Sequence, residues 1–132
     1  MKLHHVALQT SDLDRSIDFY TRILGAEIVS RGPFKRREMA WLRMGEIQFE
    51  IFGARAGEKL APWSDFTSGP VHLAFAVEDL DAFLAQALEK GAIFHPSHPG
   101  PFTPPVPGAG KMAYILGPDG EEVEIRSVEG SH

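Results

Sequence analysis

Hydrophobic and polar positions alternate at the start of the chain, and the same arrangement returns in its second half. The segment His5-Val6-Ala7-Leu8 is followed, seven residues after its histidine, by Asp12-Leu13-Asp14. The segment His72-Leu73-Ala74-Phe75 is followed at the same distance by Asp79-Leu80-Asp81. Alternation predicts a strand, and an aspartate before an apolar stripe predicts the start of a helix. The pattern therefore predicts a duplicated unit with a histidine at the same point of each copy.

The first half has the pattern of a strand, a helix and three further strands. Alternating residues predict a strand over 3–10, and apolar residues at helical spacing predict a helix over about 13–24. Gly25 follows this helix and suits the left-handed backbone that commonly ends one. The further strands are predicted near 26–31, 37–44 and 46–53.

The second half repeats this order. A strand is predicted over about 70–77 and a helix over 80–90, again followed by a glycine, Gly91. The remaining elements are a strand starting at Ala92, a long loop with six prolines between Pro96 and Pro107, and a hairpin formed by Lys111–Leu116 and Glu121–Arg126. The topology is βαβββ twice, which predicts an α+β fold.

The chain has 132 residues, which fits a single domain over 1–132. Module one is predicted over about 1–54 and module two over about 70–128. Residues 55–69 have little periodicity and are interpreted as the linker between them.

Composition excludes several functional classes. The chain has no cysteine, which excludes disulfides and thiolate metal sites, and fits a cytoplasmic location. No apolar run approaches the roughly 20 residues that span a bilayer, and the first residues lack the apolar stretch of a signal peptide. The net charge of -5 argues against nucleic acid as a partner. We therefore expect no nucleic acid and no membrane among the partners.

Candidate metal ligands emerge from the side-chain alternation of the predicted strands. Successive strand residues point to opposite faces of a sheet. Four predicted strands each combine an apolar stripe on one face with a potential ligand on the other. These ligands are His5, Glu50, His72 and Glu124. Two imidazoles and two carboxylates suit Ni, Co, Fe, Mn or Zn, with open positions for water or substrate.

A purely structural role for these residues is the alternative to a metal site. A single strand histidine is more often an ordinary surface or core residue, and a strand glutamate such as Glu122 is usually solvated. His4 points to the wrong face, and His95 and His98 flank the proline-rich loop. The shared face on symmetry-related strands favours a metal site formed by the four ligands.

The chain resembles the vicinal oxygen chelate superfamily, the glyoxalase, bleomycin-resistance and extradiol-dioxygenase group. The resemblance covers nearly the whole length. It rests on His5-Val6-Ala7-Leu8, Asp14–Tyr20 with Leu24-Gly25, His72-Leu73-Ala74-Phe75, and Gly117-Pro118-Asp119-Gly120 leading into Glu124-Ile125. It implies two βαβββ modules that form a cupped sheet around one central metal.

The resemblance also implies ligands and roles. His5, Glu50, His72 and Glu124 match the His/Glu/His/Glu set of bacterial-type glyoxalase I, which typically uses nickel or cobalt, with Zn, Mn or Fe as alternatives. It implies a metal-dependent lyase or isomerase that moves a proton on a substrate with two adjacent oxygens. Glu124 would be the base, and Glu50 a ligand or partner acid. Bacterial-type relatives often complete each site from two chains, which implies a homodimer, although the four ligands could also converge within one chain.

Alternatives within the superfamily stay open, because membership does not determine the reaction. They are a small-molecule or antibiotic binding or resistance protein, an acyl-CoA epimerase, and an extradiol dioxygenase. Gln9 stands where glyoxalase I carries a glutathione-binding arginine, and the loop before the last hairpin is unusually long. The candidate pocket residues are Trp41, Arg43, Phe52, Phe102 and Arg126, of which Trp41 and Phe102 could equally pack in the core.

Overall fold

The computed structural model describes residues 1–65 and 68–128 of the chain. These residues fall into two compact units, Met1–Ala61 and Pro62–His132. The boundary between the units lies within residues 55–69, the segment interpreted as a linker. Residues 66–67 of that segment lie outside the described residues.

The first unit is a four-stranded sheet with one helical segment. Strands β1 (Val6–Thr10), β2 (Glu27–Phe34), β3 (Arg37–Met44) and β4 (Ile47–Gly53) lie in the order β1-β4-β3-β2. β1 runs parallel to β4, and the other neighbours are antiparallel. Helix α1 (Leu13–Asp18) continues into a π-helical turn, Phe19–Ile23, so the predicted helix over 13–24 has two parts.

Local interactions hold α1 on one face of this sheet. The Asp12 carboxylate accepts a hydrogen bond from the Arg15 amide at 3.1 Å, which caps the first turn. The helical segment packs its Tyr20 ring against Phe49 of β4, with 6.3 Å between ring centroids. Phe49 and Ile51 are buried. Glu50 lies between them in sequence, so its side chain points to the opposite face of the sheet.

The second unit is a three-stranded sheet with one longer helix. Strands β5 (Leu73–Val77), β6 (Met112–Leu116) and β7 (Glu122–Ser127) lie in the order β5-β7-β6, and α2 (Leu80–Glu89) packs against β7. A short 3₁₀ turn, Trp63–Asp65, precedes them. The Asp79 carboxylate caps α2 by accepting from the Ala82 amide at 2.9 Å. Val123 and Ile125 are completely buried, so Glu124 points away from that core.

These elements confirm the predicted α+β class, and their strands form two small sheets, one in each unit. One predicted element is wrong in detail, because the strand expected from Ala92 is reduced to an isolated bridge between Phe94 and Ile115. Pro96 explains this, since proline cannot donate to a strand ladder and restricts the residue before it. None of the helices within residues 1–65 and 68–128 is long and apolar enough to cross a membrane.

Candidate metal centre

In the first unit, strand register brings His5 and Glu50 together. β1 and β4 pair so that Ala7 lies beside Glu50. His5 comes directly before β1 and two residues before Ala7, so its side chain shares the face of Glu50. The His5 Nε2 atom lies 3.3 Å from Glu50 Oε2. The imidazole and the carboxylate therefore form one donor pair on the sheet face away from α1.

The second unit repeats this arrangement at equivalent positions. β5 and β7 pair so that Ala74 lies beside Glu124, and His72 comes directly before β5. The His72 Nε2 atom lies 3.8 Å from Glu124 Oε1. Glu124 is only 6% exposed, whereas its counterpart Glu50 is half-buried. The duplication seen in the sequence thus extends to the pairing of side chains.

A tight turn positions Glu124 by starting β7. Gly120 has φ +84°, a left-handed conformation that favours glycine. The buried Glu121 side chain accepts a hydrogen bond from the Asp119 amide at 2.9 Å and occupies the space beside Gly117. A side chain at Gly117 would clash with the Glu121 carboxyl, so this glycine is required by close contact. The motif that carried part of the resemblance therefore sets where β7 begins.

Each donor pair has an aromatic neighbour on the strand that pairs antiparallel with the strand of its glutamate. Trp41 pairs with Glu50 and meets the His5 ring edge-on at a centroid distance of 5.1 Å. Tyr114 pairs with Glu124 and meets His72 in the same way at 5.7 Å. Trp41 is one of the pocket residues expected from the sequence. Tyr114 was missed, and its signal would have been its position in the repeat, equivalent to that of Trp41.

The distance between the imidazole nitrogen and the carboxylate oxygen of each pair can be compared with the distance between two ligand atoms of one metal ion. Two donors about 2.1 Å from one ion and about 90–110° apart lie about 3.0–3.4 Å from each other. The 3.3 Å between His5 and Glu50 falls in this range, and the 3.8 Å between His72 and Glu124 is slightly wider. The donor atoms are imidazole nitrogen and carboxylate oxygen, which suit divalent transition metals. Each pair therefore fits as half of a metal site.

The remaining nitrogens of the two histidines differ in their surroundings. His5 Nδ1 lies 2.8 Å from Nδ1 of His4, so one of the two nitrogens donates a hydrogen bond to the other. Such a contact orients a ligand ring and leaves Nε2 facing the carboxylate. His4 is exposed, and this contact was not predicted. His72 Nδ1 is buried and has no hydrogen-bond partner among the described residues.

The Glu124 carboxylate has a charged and a phenolic neighbour. Nη1 of Arg126 is 3.9 Å from Glu124 Oε2, and Tyr114 lies opposite Glu124 in the pairing of β6 and β7. Burial raises the pKa of the Tyr114 phenol, and the negative charge of Glu124 adds to the rise. The phenol of Tyr114 is therefore neutral at neutral pH.

The other candidate pocket residues have different environments. Arg43 is exposed and pairs with Glu27 at 3.2 Å. Phe52 is buried, and the Arg37 guanidinium lies over its ring. Phe102 stacks on His98 with 4.2 Å between centroids. Tyr114 lies near both of these rings, at centroid distances of 5.4 Å from His98 and 5.9 Å from Phe102.

His98 was expected only as a loop residue, and the structure brings it into this aromatic cluster. His95, also expected in the loop, contacts Ser97 at 2.9 Å and Glu122 at 3.8 Å. A cavity of about 280 Å³ in the second unit borders His95 and Glu122. Neither His72 nor Glu124 lines this cavity.

Each unit contributes two donors. Within either unit, the described part of the chain contains no group of three or more His, Asp or Glu side chains placed to hold a metal ion. Each pair by itself therefore supplies two ligands and not a complete set.

The fold and the repeated pair define a protein built from two βα-type modules, each carrying a histidine and a glutamate on the sheet face away from its helix. The chain belongs to the Glyoxalase/Bleomycin resistance protein/Dioxygenase superfamily, whose family model matches residues 2–125. The resemblance stated from the sequence is thereby confirmed at the level of the superfamily.

Individual relatives agree with this assignment. A probable lactoylglutathione lyase from Vibrio cholerae serotype O1 is 28% identical over 99% of this chain and 94% of its own length. The crystal structure of a glyoxalase family protein from Enterococcus faecalis has a TM-score of 0.79 and 28% identity, covering 95% of this chain and 96% of its own. An antibiotic-binding protein from Streptomyces sp. CB03234 shares the fold at a TM-score of 0.70 with 18% identity, covering 96% of each chain.

Proposed function

We propose that the chain is a metal-dependent lyase or isomerase of the glyoxalase I type, which moves a proton on a small substrate with two adjacent oxygens. The observation that carries the proposal is the repeated His–Glu pair, at 3.3 Å in the first unit and 3.8 Å in the second. His5, Glu50, His72 and Glu124 would supply the four ligands of one divalent metal ion. Nickel or cobalt is favoured by the resemblance to bacterial-type glyoxalase I.

The composition of the donor set separates this proposal from other activities of the superfamily. Resemblance implies two histidines and one glutamate for extradiol dioxygenases, and a glutamine at the position of Glu50 for epimerases. Here Glu50 is a carboxylate on the same sheet face as His5. Two carboxylates in one site allow one to accept a proton while the other remains a ligand or donates.

The side chains of the second unit suit Glu124 to the role of base. A divalent metal held by these donors would supply Lewis acidity, which would make the C–H bond beside a carbonyl more acidic. Arg126 places a positive charge 3.9 Å from the Glu124 carboxylate. Tyr114 pairs with Glu124 across β6 and β7 and places a neutral phenol beside it. Glu50 is the partner acid or a permanent ligand.

A second candidate function is the binding of an aromatic small molecule, such as an antibiotic, without turnover. The stacked rings of Phe102 and His98, with Tyr114 beside them, favour it, because such a cluster suits a flat ligand. The two candidate functions differ in whether they require a bound metal ion. The enzyme requires a stoichiometric ion, and the binding protein requires only the aromatic cluster.

Elemental analysis of the purified protein tests the proposal. We expect about one divalent metal ion per four-ligand set in the wild type, and loss of that metal in both His5→Ala and His72→Ala proteins. His98→Ala is the matched control, since it removes an imidazole outside the donor pairs. Unchanged metal content in His5→Ala and His72→Ala would contradict the proposed site. Activity is then measured with the hemithioacetal of methylglyoxal and a thiol, followed by acyl-CoA thioesters.

A further inference from the structure

The cavity of about 280 Å³ in the second unit lies next to the His72–Glu124 pair. Val71, which borders the cavity, comes directly before His72 in the chain. Glu122, which also borders it, is the first residue of β7, and its side chain shares the sheet face of Glu124. One two-residue step along a strand is about 7 Å, so the Glu122 carboxylate lies about that far from the Glu124 carboxylate.

Backbone hydrogen bonds hold two walls of this cavity in place. The Trp63 amide donates to the Asp119 carbonyl at 3.5 Å, which ties the 3₁₀ turn to the turn before β7. The His95 amide donates to the Tyr114 carbonyl at 2.9 Å, which ties the start of the proline-rich loop to β6. Trp63 and His95 both border the cavity, so its walls are formed before any ligand binds.

The carboxylate of Glu122 has no donor of its own. Its nearest charged neighbour is His95, whose Nδ1 atom lies 3.8 Å from Glu122 Oε1. That nitrogen accepts a hydrogen bond from the Ser97 amide at 3.1 Å, so the proton of the neutral ring is on Nε2 and Nδ1 does not donate to Glu122. Within residues 1–65 and 68–128, no lysine or arginine forms an ion pair with Glu122, although its side chain is only 32% exposed.

These surroundings favour a cationic ligand. A mostly buried carboxylate without a partner is costly, and a bound cation would offset that cost. Trp63, Pro70 and Val71 add apolar surface to the cavity, and an indole beside a carboxylate is a combination that binds ammonium groups. No lysine or arginine is among the described residues that line the cavity. The cavity therefore suits a short alkyl chain that ends in an ammonium group.

We propose that this cavity binds an ammonium group of the substrate beside Trp63 and the carboxylate of Glu122. The inference rests on the proposed function, because the other end of the same molecule would present its two adjacent oxygens at the His72–Glu124 pair. A chain of about six bonds spans the roughly 7 Å between the two carboxylates. The substrate is then a small molecule with vicinal oxygens at one end and a positive charge at the other.

A Glu122 that is only a polar residue at the start of β7 makes a different prediction. In that case, removing its charge would not change which ligands bind. Glu122→Gln keeps the shape of the side chain and removes the charge. Glu89→Gln is the matched control, because it makes the same change of net charge at an exposed residue at the end of α2, outside the cavity.

The first experiment uses metal-free protein and is independent of the proposed metal site. The chain has two tryptophans, Trp41 and Trp63, so their indole N–H resonances are assigned by NMR with a Trp41→Phe variant. Pentylammonium chloride is compared with pentanol, which has the same length and no charge. We expect a saturable shift of the Trp63 resonance at millimolar pentylammonium, with binding about 10- to 100-fold tighter than that of pentanol.

The variants decide whether Glu122 causes this preference. The preference for pentylammonium should disappear in Glu122→Gln and persist in Glu89→Gln. A Trp63 resonance that pentylammonium does not move, or a preference that survives in Glu122→Gln, would overturn the inference.

The second experiment uses metal-loaded protein and two hydroxamates of equal length, which present two adjacent oxygens. The hydroxamate of ε-aminocaproic acid ends in an ammonium group, and heptanohydroxamate ends in a methyl group. We expect the ammonium compound to bind about 10- to 100-fold more tightly in the wild type and in Glu89→Gln, and equally with heptanohydroxamate in Glu122→Gln. Equal binding in the wild type would refute the placement of the substrate ammonium in this cavity. Failure of both hydroxamates to bind would count against the proposed function, and the pentylammonium titration would still decide whether the cavity binds ammonium.

Discussion

Replacing Glu124 by glutamine separates its chemical role from its structural role. Glutamine has nearly the same volume and can still coordinate through its carbonyl oxygen, but it cannot accept a proton at neutral pH. The strand is anchored by Val123 and Ile125, which are completely buried on the opposite face. We therefore expect Glu124→Gln to fold, to retain metal, and to lose activity.

The expected magnitudes keep the two effects apart. The carboxylate lies 3.8 Å from His72 and 3.9 Å from Arg126, and losing these contacts costs about 1–3 kcal/mol of stability. This is less than the roughly 5–15 kcal/mol that holds a domain folded. Loss of a positioned general base lowers the rate by about 10²–10⁴, which is about 3–5 kcal/mol of activation free energy. A rate loss of that size in a variant that remains folded therefore measures the loss of the general base and not a loss of stability.

The assay combines denaturant unfolding, elemental analysis and turnover of whichever candidate substrate, the hemithioacetal or an acyl-CoA thioester, the wild type converts. Glu89→Gln is the control, because it makes the same change of charge at an exposed residue at the end of α2. Glu50→Gln is compared in parallel and should lose less activity than Glu124→Gln. If Glu124→Gln binds metal and turns over substrate at the wild-type rate, Glu124 is only a ligand. The base would then be sought at Glu50.

Two further predictions concern assembly and titration. We expect a homodimer in sedimentation at micromolar concentration, since bacterial-type relatives often complete each site from two chains, and a monomer that still binds metal would contradict this. In metal-free protein, ultraviolet titration should place the pKa of Tyr114 above its ordinary value of 10.0, because burial and the charge of Glu124 both disfavour phenolate. The stability that follows from this shift is complete below the unfolded-state pKa and is lost as pH rises through the folded-state pKa, so unfolding of Tyr114→Phe should depend less on pH there. An ordinary Tyr114 titration would refute this account.

The sequence by itself determined the elements and the duplication. Alternation, helical spacing, the caps Asp12 and Asp79, and the glycines that end the helices are local properties of the chain, so they predict strands and helices without knowledge of packing. The strand from Ala92 was the exception, because Pro96 interrupts the ladder in a way that apolar content alone does not reveal.

The sequence also placed His5 and Glu50 on corresponding faces, because side-chain parity follows from residue number. Parity alone does not determine register, which is set by the pairing of strands distant in sequence. Only the tertiary structure places Ala7 beside Glu50 and Ala74 beside Glu124, and so brings each histidine within 4 Å of its glutamate. Whether all four ligands hold one ion stays a prediction.

Only the tertiary structure shows the contact of Arg37 with Phe52 and the position of Tyr114 beside Glu124. Arg37 follows the turn at Lys35 and Arg36, where both residues adopt positive φ of 48° and 69° although neither is glycine. Residue type predicts a different backbone there, so the hairpin and the arginine it positions were not expected. Tyr114 reaches Glu124 only through the register of β6 and β7. In both cases the decisive contact joins different strands, and its energy comes from burial and charge that no single segment of sequence contains.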